Sequence, residues 1–330
     1  RIAFMGSDAI ALPILRFLFQ EDGLDLTVVY TQPDRPSGRG KRLRPNPIKE
    51  WAVANQVEVR DPSKLEKSED HWLREAGLSF AIVMAYGHIL KPSFLKAIDG
   101  RFYNLHASLL PAYRGASPVE TALAEGEKKT GVSLMRIISR MDAGPVIDRE
   151  ETPIGENEDG SSLRKKLSLA CIPLLKRNLE GLVSGNPQEQ LQVEQDASYC
   201  RRLRKVDGRL DFSLPASSLA LRVAAFRTWP GCFFEFGEAR IKVGSAKAIT
   251  ECVDAAPSEI LGEIDGCLRV ATGQGILALR ELQRPGGAML PAIDFLRGFA
   301  LPAGTQLSTA PTDPLVGDKP SFFSENEKTG

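Results

Sequence analysis

The chain has 330 residues, 42% hydrophobic and 25% charged, which excludes a disordered chain and is long enough for two hydrophobic cores. Its 42 basic and 42 acidic residues cancel, so no global charge draws it to nucleic acid and any such affinity must reside in a local patch. Cys171, Cys200, Cys232, Cys252 and Cys267 form no CxxC pair and the three histidines lack ligand spacing, which argues against a disulfide framework or a metal site.

The first half alternates strand and helix signals. IAFMG (2–6) reads as a buried strand, followed by a helix from about Ala9 to Gln20 and a second strand, LDLTVVYT (24–31). NPIKEWAVANQ carries Asn46 as an N-cap with Pro47 at the first helical position. VEVR is a short strand, SEDHWLREAG a helix capped by Ser68 and stopped by Gly77, and FAIVMAYG (80–87) a further strand. RFYNLHAS (101–108) is the next strand, and SPVE (117–120) is a capping box opening a helix that Gly126 ends. GVSLMRII (131–138), PVIDREETPI (145–154) and an amphipathic helix over about 161–183 complete this half. The alternation predicts an α/β domain with a doubly wound, mostly parallel sheet over residues 1–185.

Residues 186–203 are Gln-rich and weakly periodic, and read as a linker. Beyond them, RLDFS, CFFEFGEARIKVGSAKAIT with a turn at Gly237, LGEIDGCLRVAT and GILALRELQ predict short antiparallel strands, with helices only near 216–226 and 291–298. A smaller β-barrel domain of the oligonucleotide-binding type is expected over 204–312, followed by a frayed tail over 313–330. The start of the chain lacks a basic n-region and no stretch is long enough to span a bilayer, so a cytoplasmic protein is expected.

The first strand–helix turn reads GSDAIALP, not GxGxxG, and no GxxxxGK[ST] occurs, which counts against a nicotinamide dehydrogenase or a P-loop enzyme. The connection TQPDRPSGRGKRLRPNPIK (31–49) is long for an α/β loop and sets Arg35, Arg39, Lys41, Arg42, Arg44 and Lys49 against one acid, Asp34. It reads as a solvated loop or as a mobile segment that orders on a polyanion, and its glycines and prolines favour the second. On an extended strand, Asn104 and His106 project to one face, an amide donor beside a titratable imidazole. Asp142, in SRMDAGPVI, reads in isolation as turn chemistry, but in the same sheet it could supply the carboxylate that this pair lacks.

VVYTQPDRPSGRGKRLRPNPIKEWA, VMAYGHIL, YNLHASLLPAYRGASPVETALAEGEKKTGVSLMRI and MDAGPVI together resemble the methionyl-tRNA formyltransferase family, within the folate-dependent formyltransferase superfamily. The resemblance extends to FRTWPGCFFEF (226–236) and VATGQGILALRELQRPGG (270–287). Tyr113, Ser117 and Ala143 depart from the common pattern but leave Asn104, His106 and Asp142 in place.

The resemblance implies a Rossmann-like formyltransferase domain and formyl transfer from 10-formyltetrahydrofolate to methionyl initiator tRNA, without a metal. It implies that Asn104 and His106 stabilise an oxyanion while Asp142 orients His106 and assists proton removal. Met84, Ala85, Tyr86, Gly87, Ile89, Leu90 and Gly144 would then border the pterin, and Ser108, Leu109, Leu110 and Pro111 the formyl group. The six basic loop residues would meet tRNA, and a monomer is expected. A formyl-folate hydrolase or sugar-nucleotide N-formyltransferase would share the core but has no evident use for the basic loop. An RNA-binding protein with an inactive formyltransferase fold has no need of the Asn/His/Asp set.

Overall fold

Every residue of β1 (Ile2–Gly6) is buried, as an uninterrupted apolar run requires of a central parallel strand covered on both faces. The structure is a computed structural model and describes residues 1–37 and 42–319. Asp8 caps the turn after β1, accepting from the Ile10 N–H at 2.9 Å, and α1 (Leu12–Gln20) follows. β2 (Leu26–Tyr30) leads into a two-stranded ribbon, β3 (Arg35–Ser37) against β4 (Arg42–Arg44), with Arg35 opposite Arg44. The connection expected as an irregular mobile loop is thus paired on both sides of residues 38–41. Arg39 and Lys41 lie outside the described residues.

Helix α2 (Pro47–Ala54) starts as expected, with Asn46 Oδ1 accepting from the Ile48 and Lys49 N–H groups. β5 (Glu58–Arg60) precedes α3 (Lys67–Glu75), whose N-cap is Glu66, so Ser68 sits in the first turn and caps nothing. Next come β6 (Phe80–Met84), α4 (Pro92–Leu95), β7 (Phe102–His106) and the short β8 (Arg114–Gly115). Helix α5 (Pro118–Ala124) lacks the expected capping box: Ser117 makes no capping bond, and its Oγ accepts from the Leu203 N–H at 3.3 Å. A partner distant in sequence has displaced the local one.

β9 (Lys129–Arg136) and β10 (Val146–Pro153) complete a seven-stranded sheet of order β10-β9-β7-β6-β1-β2-β5. β7, β6, β1, β2 and β5 run parallel, whereas β9 is antiparallel to both β7 and β10. The winding reverses between β1 and β6, so the switch-point crevice opens where Ser7 and Ala85 leave their strands. Helix α6 (Gly160–Ser184) follows.

The chain forms two compact units, one of residues 1–115, 129–153 and 164–198, the other of 116–128, 154–163 and 199 onward. They do not part at 185 as expected. The segment read as a linker packs in the first unit up to Ser198, while α5 packs in the second against α7 (Ala216–Ala225). The second unit also contains β11 (Tyr199–Cys200), β12 (Cys232–Phe236), β13 (Ala239–Ile249), β14 (Ile260–Ile264) and β15 (Cys267–Ala271). It ends with β16 (Ile276–Gln283), β17 (Leu290–Pro291), α8 (Ala292–Gly298) and β18 (Val316–Gly317).

The strands form an antiparallel sheet of order β12-β13-β16-β15-β14, with β17 on β16. This is the smaller β domain expected. Among the described residues no ladder joins β12 to β14, so its hydrogen bonding is that of an open sheet. Residues 313–319, expected to fray, are held in place. Arg201 Nε donates to the Pro314 carbonyl at 2.8 Å, Leu315 is buried, and β18 pairs with β11. Among the described residues no helix is long and apolar enough to cross a membrane.

Candidate active site

His106 is the last residue of β7, at the carboxyl end of the parallel strands, and Asn104 lies two residues earlier on the same face. His106 is buried, while Asn104 is half-buried and its amide makes no hydrogen bond among the described residues. His106 Nε2 lies 2.9 Å from the Tyr113 carbonyl oxygen, and Nδ1 lies 3.7 Å from Asp142 Oδ2. A carbonyl only accepts, so Nε2 carries the proton. Nδ1 in turn faces the Asp142 carboxylate at ion-pair rather than hydrogen-bond distance.

Asp142 reaches His106 from the loop between β9 and β10, so the sheet does bring the two together. Its Oδ2 also accepts the Gly115 N–H at 2.9 Å, and among the described residues Oδ1 has no partner. Both residues that flank the imidazole have left-handed backbones, Tyr113 at φ +56° and Asp142 at φ +48°. Neither is glycine, and such conformations cost ~1–3 kcal/mol each and persist only where the surroundings impose them.

The surroundings come from residues that sequence reasoning missed. Gln192 Nε2 donates to the carbonyls of Asp142 (2.8 Å) and Gly144 (2.7 Å), and its Oε1 accepts from Arg114 Nε at 3.1 Å. Arg114 is wholly buried and ion-paired to Glu194 at 3.0 Å, and Glu194 also meets Arg140 at 2.6 Å. Gln192 and Glu194 belong to the stretch read as a linker. The available signal was an arginine at the RG turn, because an arginine buried there must find partners.

Ser133, on β9 opposite His106, is a second omission. Its hydroxyl donates to the Ser108 carbonyl at 2.7 Å and accepts the Leu110 N–H at 2.9 Å, fixing the turn that carries Ser108, Leu109, Leu110 and Pro111. Ser108 is itself buried, and its hydroxyl bonds the Ala112 carbonyl at 2.6 Å. Gly144 has a steric role: a Cβ there would lie 1.9 Å from the Arg136 carbonyl oxygen.

Strand pairing sets Val83 beside Asn104, so the turn after β6 starts level with His106, one strand spacing away. Ala85 (φ +50°), Gly87 (φ +83°) and Ile89 are exposed in it, whereas Met84, Tyr86 and Leu90 are buried. Met84 packs its sulfur 3.8 Å from Cys171. Any ligand on this turn therefore meets backbone and the exposed residues, not the side chains of Met84 or Leu90. The Tyr86 carbonyl is taken by Ser7 Oγ (3.1 Å) and Gln32 Nε2 (3.2 Å).

The basic residues divide. Arg42 and Arg44 are exposed on β4, and Arg35 donates to Gln32 Oε1 at 2.9 Å. Lys49 is committed internally, to Asp34 at 2.6 Å and Asp61 at 2.8 Å, and these carboxylates hold its ammonium above the usual range.

A family model described as formyl transferase matches residues 1–172, and one described as formyl transferase, C-terminal domain, matches residues 202–300. Methionyl-tRNA formyltransferase of Granulibacter bethesdensis is 39% identical over 308 residues, covering 93% of this chain and 96% of that protein. The Gluconobacter oxydans protein of the same name is 37% identical over 310 residues, covering 93% and 99%. Among solved structures, an N-formyltransferase from Helicobacter canadensis in complex with folinic acid and dTDP-3-aminofucose has a TM-score of 0.63 at 19% identity. The match covers 84% of this chain and 98% of that one, a likeness of fold.

Proposed function

The chain belongs to the methionyl-tRNA formyltransferase family, and from that premise we propose that it moves the formyl group of 10-formyltetrahydrofolate onto the α-amino group of methionyl initiator tRNA, with Asn104, His106 and Asp142 at the reacting atoms. The observation that carries this assignment is the pairing of His106 Nδ1 with Asp142 Oδ2 at 3.7 Å, with Oδ1 left without a partner among the described residues.

The amine nitrogen attacks the formyl carbon, and the carbonyl electron pair moves onto oxygen. The Asn104 amide, without a partner among the described residues, donates to that oxyanion, and the His106 imidazole beside it helps to stabilise it. One such donor is worth ~3 kcal/mol. His106 is held in place through Nε2–H, which serves the Tyr113 carbonyl. Asp142 Oδ1 accepts the proton that the amine loses. Collapse re-forms the carbonyl and breaks the bond to the folate N10, which leaves with the proton that Asp142 took from the amine, so the carboxylate is restored.

The exposed turn at Ala85, Gly87 and Ile89 suits recognition of a pterin edge by backbone groups. Arg42 and Arg44, on the hairpin, suit contact with tRNA phosphates, which position a nucleic acid without reading its sequence. Initiator tRNA and reduced folate are the partners of this reading, and it places the protein in the cytoplasm.

The test is formylation of charged initiator tRNA by the purified full chain with 10-formyltetrahydrofolate. Formylmethionyl-tRNA is the expected product. Release of free formate, or formylation of a sugar nucleotide with none of methionyl-tRNA, would overturn the reading.

A further inference from the structure

Gln192 lies 50 residues from Asp142 in sequence, and every polar atom of its amide is engaged at the site. The nitrogen donates to the carbonyls of Asp142 (2.8 Å) and Gly144 (2.7 Å), and the oxygen accepts from Arg114 Nε (3.1 Å) and a terminal guanidinium nitrogen (3.0 Å). Arg114 directly follows Tyr113, whose carbonyl holds His106 Nε2, and Asp142 faces His106 Nδ1. One side chain therefore links the two backbone segments that grip the imidazole from opposite nitrogens.

Satisfying a buried arginine does not by itself account for this placement. Arg114 already has the Glu194 carboxylate, bonded at 3.0 and 3.3 Å, and the two N–H donations of Gln192 go to the Asp142 loop rather than to Arg114. The loop also needs such support, because Asp142 has a left-handed φ of +48° and, among the described residues, makes only one hydrogen bond through its carboxylate, to Gly115.

We propose that Gln192 is a positioning residue for the formyl-transfer reaction: by tying Asp142 and Gly144 to Arg114, it fixes the distance between the Asp142 carboxylate and His106. The proposal rests on the reading given above. Misplacement of a reacting group by ~1 Å costs up to ~10²-fold in rate. Removal of the amide is therefore expected to lower kcat by ~10- to 100-fold with little change in the KM of either substrate.

The test compares the wild-type full chain with Gln192→Leu and with Gln192→Glu, which keeps an acceptor for Arg114 but removes both donors. Three quantities are measured: kcat and KM for tRNA and folate, thermal stability, and long-range proton–nitrogen spectra of the imidazoles, to which only three histidines contribute. In a folded variant, kcat should fall at nearly constant KM, and the His106 ring signals should move while those of His71 stay. If Gln192→Leu fails to fold, Gln192→Glu carries the same expectation. Unchanged kcat and unchanged His106 signals in a folded variant would overturn the proposal, as would a loss confined to KM. The spectra need no substrate, so failure of wild type to formylate tRNA with displaced His106 signals in the variant would overturn the formyl-transfer reading and leave the positioning role of Gln192 standing.

Discussion

Tyr113 turns its carbonyl oxygen to within 2.9 Å of His106 Nε2 from a backbone φ of +56°. The contact that holds the imidazole thus depends on a conformation that side chains rarely adopt and β-branched ones least. Tyr113→Val is expected to be ~1–2 kcal/mol less stable than Tyr113→Gly in urea denaturation, and to lose more kcat. Equal stabilities would mean that the turn readjusts without strain.

Asp142→Asn keeps an oxygen for the Gly115 N–H but removes both the proton acceptor and the charge that faces His106. The expected result is a folded protein with kcat lowered by ~10²–10⁴-fold at nearly constant KM, measured in single-turnover formylation. Retention of more than a tenth of the wild-type rate would move the base elsewhere.

Gly144→Ala tests the loop without touching a reacting group. Its Cβ would lie 1.9 Å from the Arg136 carbonyl oxygen, a backbone atom that cannot swing aside, so the loop carrying Asp142 must shift. A loss of kcat on the order of that of a ~1 Å misplacement, ~10²-fold, is expected. A crystal structure of the variant with Asp142 in its original place and full activity would contradict it.

Arg42→Gln and Arg44→Gln should each weaken tRNA binding and reduce the slope of log affinity against log salt by about one. Lys49→Met should leave that slope unchanged, because Asp34 and Asp61 already neutralise the ammonium at 2.6 and 2.8 Å. Filter binding across a salt series separates the two cases. A reduced slope in Lys49→Met would mean that tRNA displaces those carboxylates.

Arg201 and Asp207 form a buried ion pair, bonded at 2.7 and 2.8 Å. Burial alone would push the Asp207 carboxyl up, but hydrogen bonds from Arg201 and the Arg204 N–H outweigh it and hold the carboxyl below its usual range. The stabilisation is therefore fully present above the unfolded value of ~3.9 and is lost as pH falls through the lower folded value. Arg201→Met leaves the carboxylate buried without its main partner, and should cost ~3–5 kcal/mol near neutral pH. Burial would then dominate and raise the folded pKa, so the deficit against wild type should shrink as pH falls from 7 toward ~4. A deficit constant across that range in denaturant titrations would refute this account.

Much of the fold was legible in the chain. β1 and β6 read as buried because their apolar runs are unbroken, and α2 because Asn46 and Pro47 are local signals that the helix itself satisfies. Ser117 carries an equally good local signal and misleads, because the Leu203 N–H takes its hydroxyl from 86 residues away. The boundary at 185 fails for a similar reason. A polar, weakly periodic segment reads as a linker, although Gln192 and Glu194 are polar in order to serve Arg114 and the Asp142 loop.

The sequence by itself determined the alternation of strands and helices, the smaller β domain and the placing of Asn104 and His106 on one face, since spacing along an extended strand decides the face. It also contained the motifs from which the family is recognised. Only the tertiary structure decided that His106 lies between the Tyr113 carbonyl and Asp142, that Arg114 is buried, and that Lys49 meets Asp34 and Asp61. The pairings behind these outcomes join groups between 7 and 80 residues apart in the chain. Which donor meets which acceptor is settled when burial removes water as the alternative partner, and no local pattern records it.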